Sequence, residues 1–289
     1  MALRHILLLL LAGLLCCGKT NNGNGQDTNP PVNSNFAKGA DISWLTEMEA
    51  AGKLFYNSSG TSQDCIQLLK NMGTNSIRLR VWVDPAGGWN NTADVIAKAV
   101  RAKNLGMKIM IDFHYSDTWA DPGQQNKPAA WVMQDFTTLQ QSVYNHTFEV
   151  LTSLKNAGIT PEWVQVGNET NDGMLWPTGK ASINMPGMSL YPDPANWETI
   201  NTQCLSNIND MISRYNKPVM ICEAGMSWDQ PAACRSFLTD LIAKLKSVPG
   251  NYGLGVFYWE PQCYGNWKGY SKGAFDNSGK PTVALQAFN

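Results

Sequence analysis

Two short apolar runs in this chain stop abruptly at a glutamate, and they limit the fold more than any other feature. Trp163 to Thr170 reads WVQVGNET, and Pro218 to Cys222 (PVMIC) hands over to Glu223. An apolar run of that length which ends in polar residues reads as a buried parallel strand delivering a side chain to its C-terminal mouth. Similar runs recur at Lys38 to Ser43 (KGADIS), Asn75 to Val83 (NSIRLRVWV), Met107 to Phe113 (MKIMIDF) and Gly255 to Glu260 (GVFYWE). Between them lie helix-patterned segments near residues 62–71, 92–105, 136–156, 196–215 and 232–247, and a last helix starts at about Thr282. Strand alternating with helix predicts a parallel sheet with helical crossovers, closed as a TIM-type (β/α)8 barrel whose chemistry sits at the C-terminal mouth.

The rhythm breaks once. Asn171 to Met185 (NDGMLWPTGKASINM) reads as loop, and Gly187 to Tyr191 (GMSLY) as a very short strand. That makes seven strands where a barrel of this type has eight. The place without a βα unit is between Thr170 and Gly187.

With 289 residues and a formal charge of -1, the chain is long enough for one large domain, predicted over residues 36–289, and lacks the basic footprint of a nucleic-acid binder. Eleven Trp, nine Tyr and nine Phe suit a protein that stacks against the apolar faces of sugars, though the same rings could simply fill a barrel. Arg4 and His5 precede an apolar run from Ile6 to Leu15, too short to span a bilayer and suited to a signal peptide over residues 1–17. The run ends in LLCCG, which resembles a bacterial lipoprotein box with Cys17 as the lipidated residue, although Cys16 stands where the box has a small residue. Residues 18–35, rich in Asn, Gly and Pro, read as a flexible linker. An exported protein attached to a membrane only through that lipid, and otherwise a monomer, is the resulting expectation.

Two strand-end carboxylates are the minimum equipment for glycoside hydrolysis, one protonating the leaving oxygen and the other attacking or activating water. Asn168 beside Glu169 could hold a sugar 2-hydroxyl, whereas the plainer alternative is a glutamate that caps the following helix. Glu223 has apolar sequence neighbours and needs a partner. Arg78, which alternates with Arg80 on one side of its strand, is the natural one and would keep a nucleophilic carboxylate ionised at neutral pH, unless the pair serves only the fold. His114 is the only histidine at a strand end, so no metal site is expected, and no Gly-rich phosphate loop is present. The domain carries five cysteines; Cys234 and Cys263, placed on loops after the last two strands, are the best disulfide pair, and Cys222 reads as an inert core thiol.

The motifs KGADIS, SIRLRVWVDP at Ser76, DFHYSDTWADP at Asp112, VGNE followed by GMLWP at Val166, and GVFYWEP at Gly255 resemble arabinogalactan endo-β-1,4-galactanases, glycoside hydrolase family 53 of clan A. The resemblance runs from about Phe36 to the C-terminus. It implies a (β/α)8 barrel that hydrolyses β-1,4-galactan with retention, with Glu169 as acid/base and Glu223 as nucleophile. It implies that Arg78 lies near the nucleophile, that Asn168 contacts the 2-hydroxyl, and that Asp41 and His114 line the subsite where the bond breaks. Tyr191 matches a tyrosine that can hydrogen-bond the nucleophile, Trp259 a subsite floor, and Trp119 and Trp176 further platforms. No cofactor is required. Some relatives hold structural calcium between the last two loops, and no acidic cluster here demands it.

One departure stands out. Relatives have a helix, a strand and a second helix between the two glutamates, whereas here GKASINM runs straight into PGMSLYP, with the join near Met185 and Pro186. A barrel that loses a strand must keep an open edge or find a new register. Three readings follow: an active endo-galactanase, a tethered galactan-binding barrel without turnover, and another clan A endo-β-glycanase specificity.

Overall fold

The computed structural model describes residues 36–180 and 189–289. The leader, the linker and the join at Met185 and Pro186 lie outside them. Six parallel strands form one sheet in the order β4-β3-β2-β1-β6-β5. They are β1 (Ala37–Asp41), β2 (Ser76–Val81), β3 (Lys108–Phe113), β4 (Trp163–Val166), β5 (Val219–Ala224) and β6 (Gly253–Trp259). The crossovers carry α1 (Leu45–Ala50) and α2 (Cys65–Asn71), then α3 (Thr92–Asn104), α4 (Phe136–Asn156), α5 (Trp197–Tyr215) and α6 (Pro231–Lys246).

Strand β2 explains the layering. All six residues of SIRLRV are buried, as both faces of a parallel strand are covered. Ile77, Leu79 and Val81 join the main apolar core with Val95, Ala99 and Ala102 of α3. Arg78 and Arg80 point the other way, into the barrel, by the two-residue period. Asp41 is in register with Arg78 on one side and with Trp259 on the other, so the mouth residues of β1, β2 and β6 share one level.

Three of the six described α-helices, α2, α3 and α4, start at a side-chain cap. Asn91 accepts from the Asp94 N–H at 2.9 Å, and Asp135 from the Thr138 N–H at 2.8 Å. Helix α4 has the bounds that its sequence pattern predicts. Helix α1, which the sequence reads as loop, is a six-residue helix that buries Leu45 and Met48. The final segment is a 3-10 turn, Val283–Phe288, rather than an α-helix.

Among the described residues six strands stand against the predicted seven. Of the GMSLY segment, Gly187 and Met188 lie outside the described residues, and only Leu190 pairs, through one parallel bridge to Ala224. Pro192 follows directly, and without an N–H it cannot extend a ladder. At the other end of the sheet β4 pairs with β3 alone among the described residues. Val164 is 41% and Val166 60% exposed on β4, values that a strand enclosed in a barrel would not show. The sheet is of the TIM type, and among the described residues nothing pairs β4 with Leu190.

The expected Cys234 to Cys263 disulfide is absent, and all five cysteines of the domain are free. Cys234 lies on α6, not on a loop, and its thiol donates to the Tyr258 hydroxyl at 3.6 Å. Cys263 faces Met48 of α1, with its sulfur 3.8 Å from the thioether. Each sulfur thus has its own partner, a hydroxyl for Cys234 and a thioether for Cys263.

Candidate active site

The mouth of the sheet is organised around one guanidinium. Arg78 is 1% exposed and holds the Asp41 carboxylate at 2.8 Å, Asp112 at 2.8 Å and Glu223 at 3.0 Å. It also donates to Asn168 Oδ1 at 3.0 Å and to Gln165 Oε1 at 3.3 Å through Nε. Burial opposes its charge, but Asp112, Glu223 and Asp41 outweigh burial and raise its pKa well above the ordinary value. Burial likewise works against Asp112, and Arg78 and His114 reverse the sign, so that carboxyl titrates below its ordinary value.

Glu223 differs from its neighbours. Burial pushes its carboxyl up to about 7, Arg78 offsets this only in part, and Glu169, Asp112 and Asp41 add to the rise. Arg78 pairs with Glu223 as expected, but one guanidinium shared among three carboxylates offsets the burial only in part. The Tyr191 hydroxyl donates to the other oxygen of Glu223 at 3.2 Å. Burial and then the Glu223 charge raise the tyrosine's own pKa well above normal, so it stays a donor.

Glu169 sits just past β4 with φ at 47°, a left-handed conformation uncommon for a side-chain-bearing residue. It accepts from the Ser189 hydroxyl at 2.8 Å. Its neighbour Asn168 is nearly fully committed: Oδ1 accepts from Arg78 and from Gln165 (3.2 Å), and Nδ2 donates to the Ala120 carbonyl at 2.8 Å. One amide hydrogen remains for the cleft. His114 accepts at Nδ1 from the Ala120 N–H at 3.2 Å, which assigns the proton to Nε2, and that nitrogen donates to Asp112 at 3.0 Å.

Above this layer lies a cleft of about 470 Å³, lined by Glu169, Glu223, His114, Asn168 and Tyr191 together with Trp119 and Trp259. The structure thus brings together most of the predicted site. Asp41 is an exception. It is fully buried beneath the floor, tied to Ser43 Oγ at 2.6 Å, and it meets Arg78 and not the cleft. Trp176 does not line the cleft either; Lys180 lies over its ring at 4.2 Å.

Sequence reasoning missed Trp44, Asp121, Lys268, Tyr270 and Lys272 on the cleft wall, and Gln165 beneath it. Trp44 follows the mouth of β1, and Gln165 is a polar residue facing inward on an apolar strand, so both left a local trace. The residues after β6 left none. Arg80 was read only as the partner in alternation with Arg78. Its guanidinium lies 4.3 Å from the Trp119 ring, 5.0 Å from Trp44 and 5.2 Å from Trp82, and pairs with the buried Glu260 at 2.6 Å. Nε and Nη2 have no hydrogen-bond partner, and the ring faces take that place. The aromatic richness therefore serves both purposes that the composition left open, since phenylalanines pack the core and tryptophans surround the cleft.

Among the described residues, no group of three or more His, Cys, Asp or Glu is disposed to hold a metal ion, and no helix is long and apolar enough to cross a membrane. The sequence profile of glycosyl hydrolase family 53 matches this chain in two segments, residues 37–186 and 180–288. The chain belongs to glycosyl hydrolase family 53. It is 44% identical over 299 residues to a probable arabinogalactan endo-β-1,4-galactanase A of Aspergillus fumigatus, across 78% of this chain and 83% of the relative. An arabinogalactan endo-β-1,4-galactanase of Thermothelomyces thermophilus is 29% identical over 327 residues, across 87% and 98%. A solved fungal β-1,4-galactanase superposes with a TM-score of 0.74 at 30% identity, covering 86% of this chain and 98% of that one. In this family 53 chain the resemblance drawn from sequence motifs and the parallel architecture agree.

Proposed function

We propose that this chain is an endo-acting, retaining hydrolase of β-1,4-galactosidic bonds in galactan and type I arabinogalactan. The observation that carries the reading is that the β4 and β5 ends bring Glu169 and Glu223 into one aromatic-walled cleft, with Glu223 held by Arg78 and Tyr191. The named relatives are galactanases. Glu223 in its ionised form attacks the anomeric carbon while Glu169 gives its proton to the leaving oxygen, so the glycosidic bond breaks as the ester to Glu223 forms. Glu169, now a carboxylate, takes a proton from water, whose oxygen replaces the ester and restores the original configuration. Asn168 offers its free amide hydrogen to the sugar, and Trp119 and Trp259 offer ring faces. Nothing in this sequence of steps calls for a cofactor.

We also infer that one contiguous stretch of the family barrel is missing near Met185. The two profile segments overlap at residues 180–186, and the alignment to the Aspergillus fumigatus relative runs over 299 positions although only 78% of the 289 residues enters it. The open seam between β4 and Leu190 falls at the same place. Export with lipidation at Cys17 completes the proposal, and loss of fatty-acid labelling in Cys17→Ser would test that part.

The decisive experiment follows release of reducing ends from linear β-1,4-galactan by the parent, Glu169→Ala and Glu223→Ala, with the anomer of the first product read by NMR. Activity in the parent, its loss in both variants and a β-anomer formed first are the expected results. Binding without release by a parent that melts cooperatively would instead mark a galactan-binding barrel, the reading that the open seam beside Glu169 would favour.

A further inference from the structure

Lys272 lines the cleft beside the candidate nucleophile and makes no ion pair with any described residue. Its ammonium faces the ring of Tyr191, 5.8 Å from the centroid, and Tyr191 is the residue that donates to Glu223. The other lysine on the wall, Lys268, is already neutralised by both oxygens of Glu47 at 2.6 Å. The buried arginines beneath are likewise committed to carboxylates.

The backbone of Lys272 is pinned, unlike that of an ordinary surface lysine. Its carbonyl accepts from the Tyr258 hydroxyl at 2.8 Å and from the Tyr270 hydroxyl at 3.4 Å, and the preceding Ser271 carbonyl accepts from the Trp228 N–H at 2.9 Å. Tyr258 is fully buried, so this loop is anchored to the end of β6. The backbone that carries this side chain is thus fixed at the cleft wall, and the ammonium makes no ion pair there with a described residue. A cation placed at the wall without an ion-pair partner is available to an anionic group carried by the ligand.

We infer that Lys272 is a specificity-determining residue that pairs with a carboxylate carried by the polysaccharide, so that the cleft prefers galactan bearing a uronic acid residue over the neutral polymer. The inference rests on the glycan-cleaving reading of the same cleft. A charge-assisted contact of this kind is worth about tenfold in affinity or more and weakens with salt.

The test uses two β-1,4-galacto-oligosaccharides of equal length, one neutral and one ending in a galacturonate, titrated calorimetrically into the Glu169→Gln chain to prevent turnover. The acidic ligand should bind about tenfold more tightly at low salt. Its advantage should shrink in 0.5 M salt (about 4 Å screening length), disappear in Lys272→Met and persist in part in Lys272→Arg. Equal affinity for the two ligands, or a preference that survives Lys272→Met, overturns the inference, as does a Lys272→Met variant that weakens both ligands alike. Hydrolysis of neutral galactan by the parent tests the underlying reading separately. A chain that cleaves neutral galactan without any uronate preference sinks this inference alone. One that cleaves nothing, yet holds the uronate through Lys272, supports it and sinks the galactanase reading.

Discussion

The two candidate catalytic glutamates stand in unlike surroundings. Glu223 belongs to the unbroken run β5-β6-β1-β2-β3, where Arg78 and Tyr191 hold both of its oxygens and every residue of β2 is buried. Glu169 follows β4, a four-residue strand that pairs on one side only among the described residues, and its side chain is held by Ser189. The difference shows which side of the sheet is braced among the described residues. The charge lattice around the candidate nucleophile spans the contiguous strands β5-β6-β1-β2-β3, and the candidate acid lies beyond it, after the one-sided strand β4.

Removal of either glutamate should have the largest effect. Glu223→Ala removes the bond-forming group, and kcat on galactan should fall by at least about a thousandfold. Glu169→Ala should cost about 10² to 10⁴, and a good leaving group, such as a nitrophenolate, should recover most of that loss because it needs no proton. An equal deficit on both substrates in Glu169→Ala would mean that the carboxylate on the seam side is not the acid.

Arg78→Met tests the other side of the comparison. It leaves Asp41, Asp112 and Glu223 buried together without their cation, and breaking a buried pair by removing one partner costs about 3 to 5 kcal/mol. The variant should unfold at markedly lower denaturant concentration than the parent. A loss under about 1 kcal/mol would show that the lattice is wetter and looser than its geometry implies.

Most of this lattice was legible in the sequence, for reasons that specific residues make clear. Alternation placed Arg78 and Arg80 on one face, and the abrupt strand ends singled out Glu169 and Glu223, because those signals are local. Asp41 was assigned to the subsite by the family resemblance, and the sequence does not reveal that Ser43 and Arg78 enclose it. Lys272 and Tyr270 reach the site from a loop more than ten residues past β6, a distance over which no periodicity acts. The disulfide assignment failed because it treated Cys234 as a loop residue although the helix pattern over 232–247 already covered it, and on α6 its thiol meets Tyr258 instead of Cys263. Of the segment expected as a further strand, the described part contributes only the Leu190 bridge, and a strand needs partners whose presence no short segment encodes.

The pH profile sharpens the contrast at smaller scale. With Glu223 raised to about 7, the acid limb of kcat/KM should climb about tenfold per pH unit below that value. The same shift has a stability sign. A carboxyl whose folded pKa lies above its unfolded 4.5 contributes stability that is fully present below 4.5 and lost as pH rises through about 7. Glu223→Gln should therefore gain on the parent in melting temperature as pH goes from 5 to 8. A difference that stays flat across that range would place the titration elsewhere, with Glu260 the next group to examine, since burial raises it to about 7 as well.

The smallest expected effect is the one that bears most directly on the seam. In a closed barrel Val166 would face a helix, and a lysine there would bury a charge at a cost of several kcal/mol. Here Val166 is 60% exposed at the side of an apolar groove that it shares with Phe136, Leu139 and Leu175. Val166→Lys should change the unfolding free energy by no more than about 0.5 kcal/mol, in the range of ordinary surface substitutions. Leu79→Ala, in the fully covered strand β2, should cost about 2 to 5 kcal/mol in the same assay. If the two variants prove equally damaging, β4 is covered in solution and the barrel closes in a way the described residues do not show. If Val166→Lys is silent and also raises solubility, as a charge on an exposed strand edge does, then Glu169 works from a free edge, and the acid side of the site is where engineered strand replacement would change activity most.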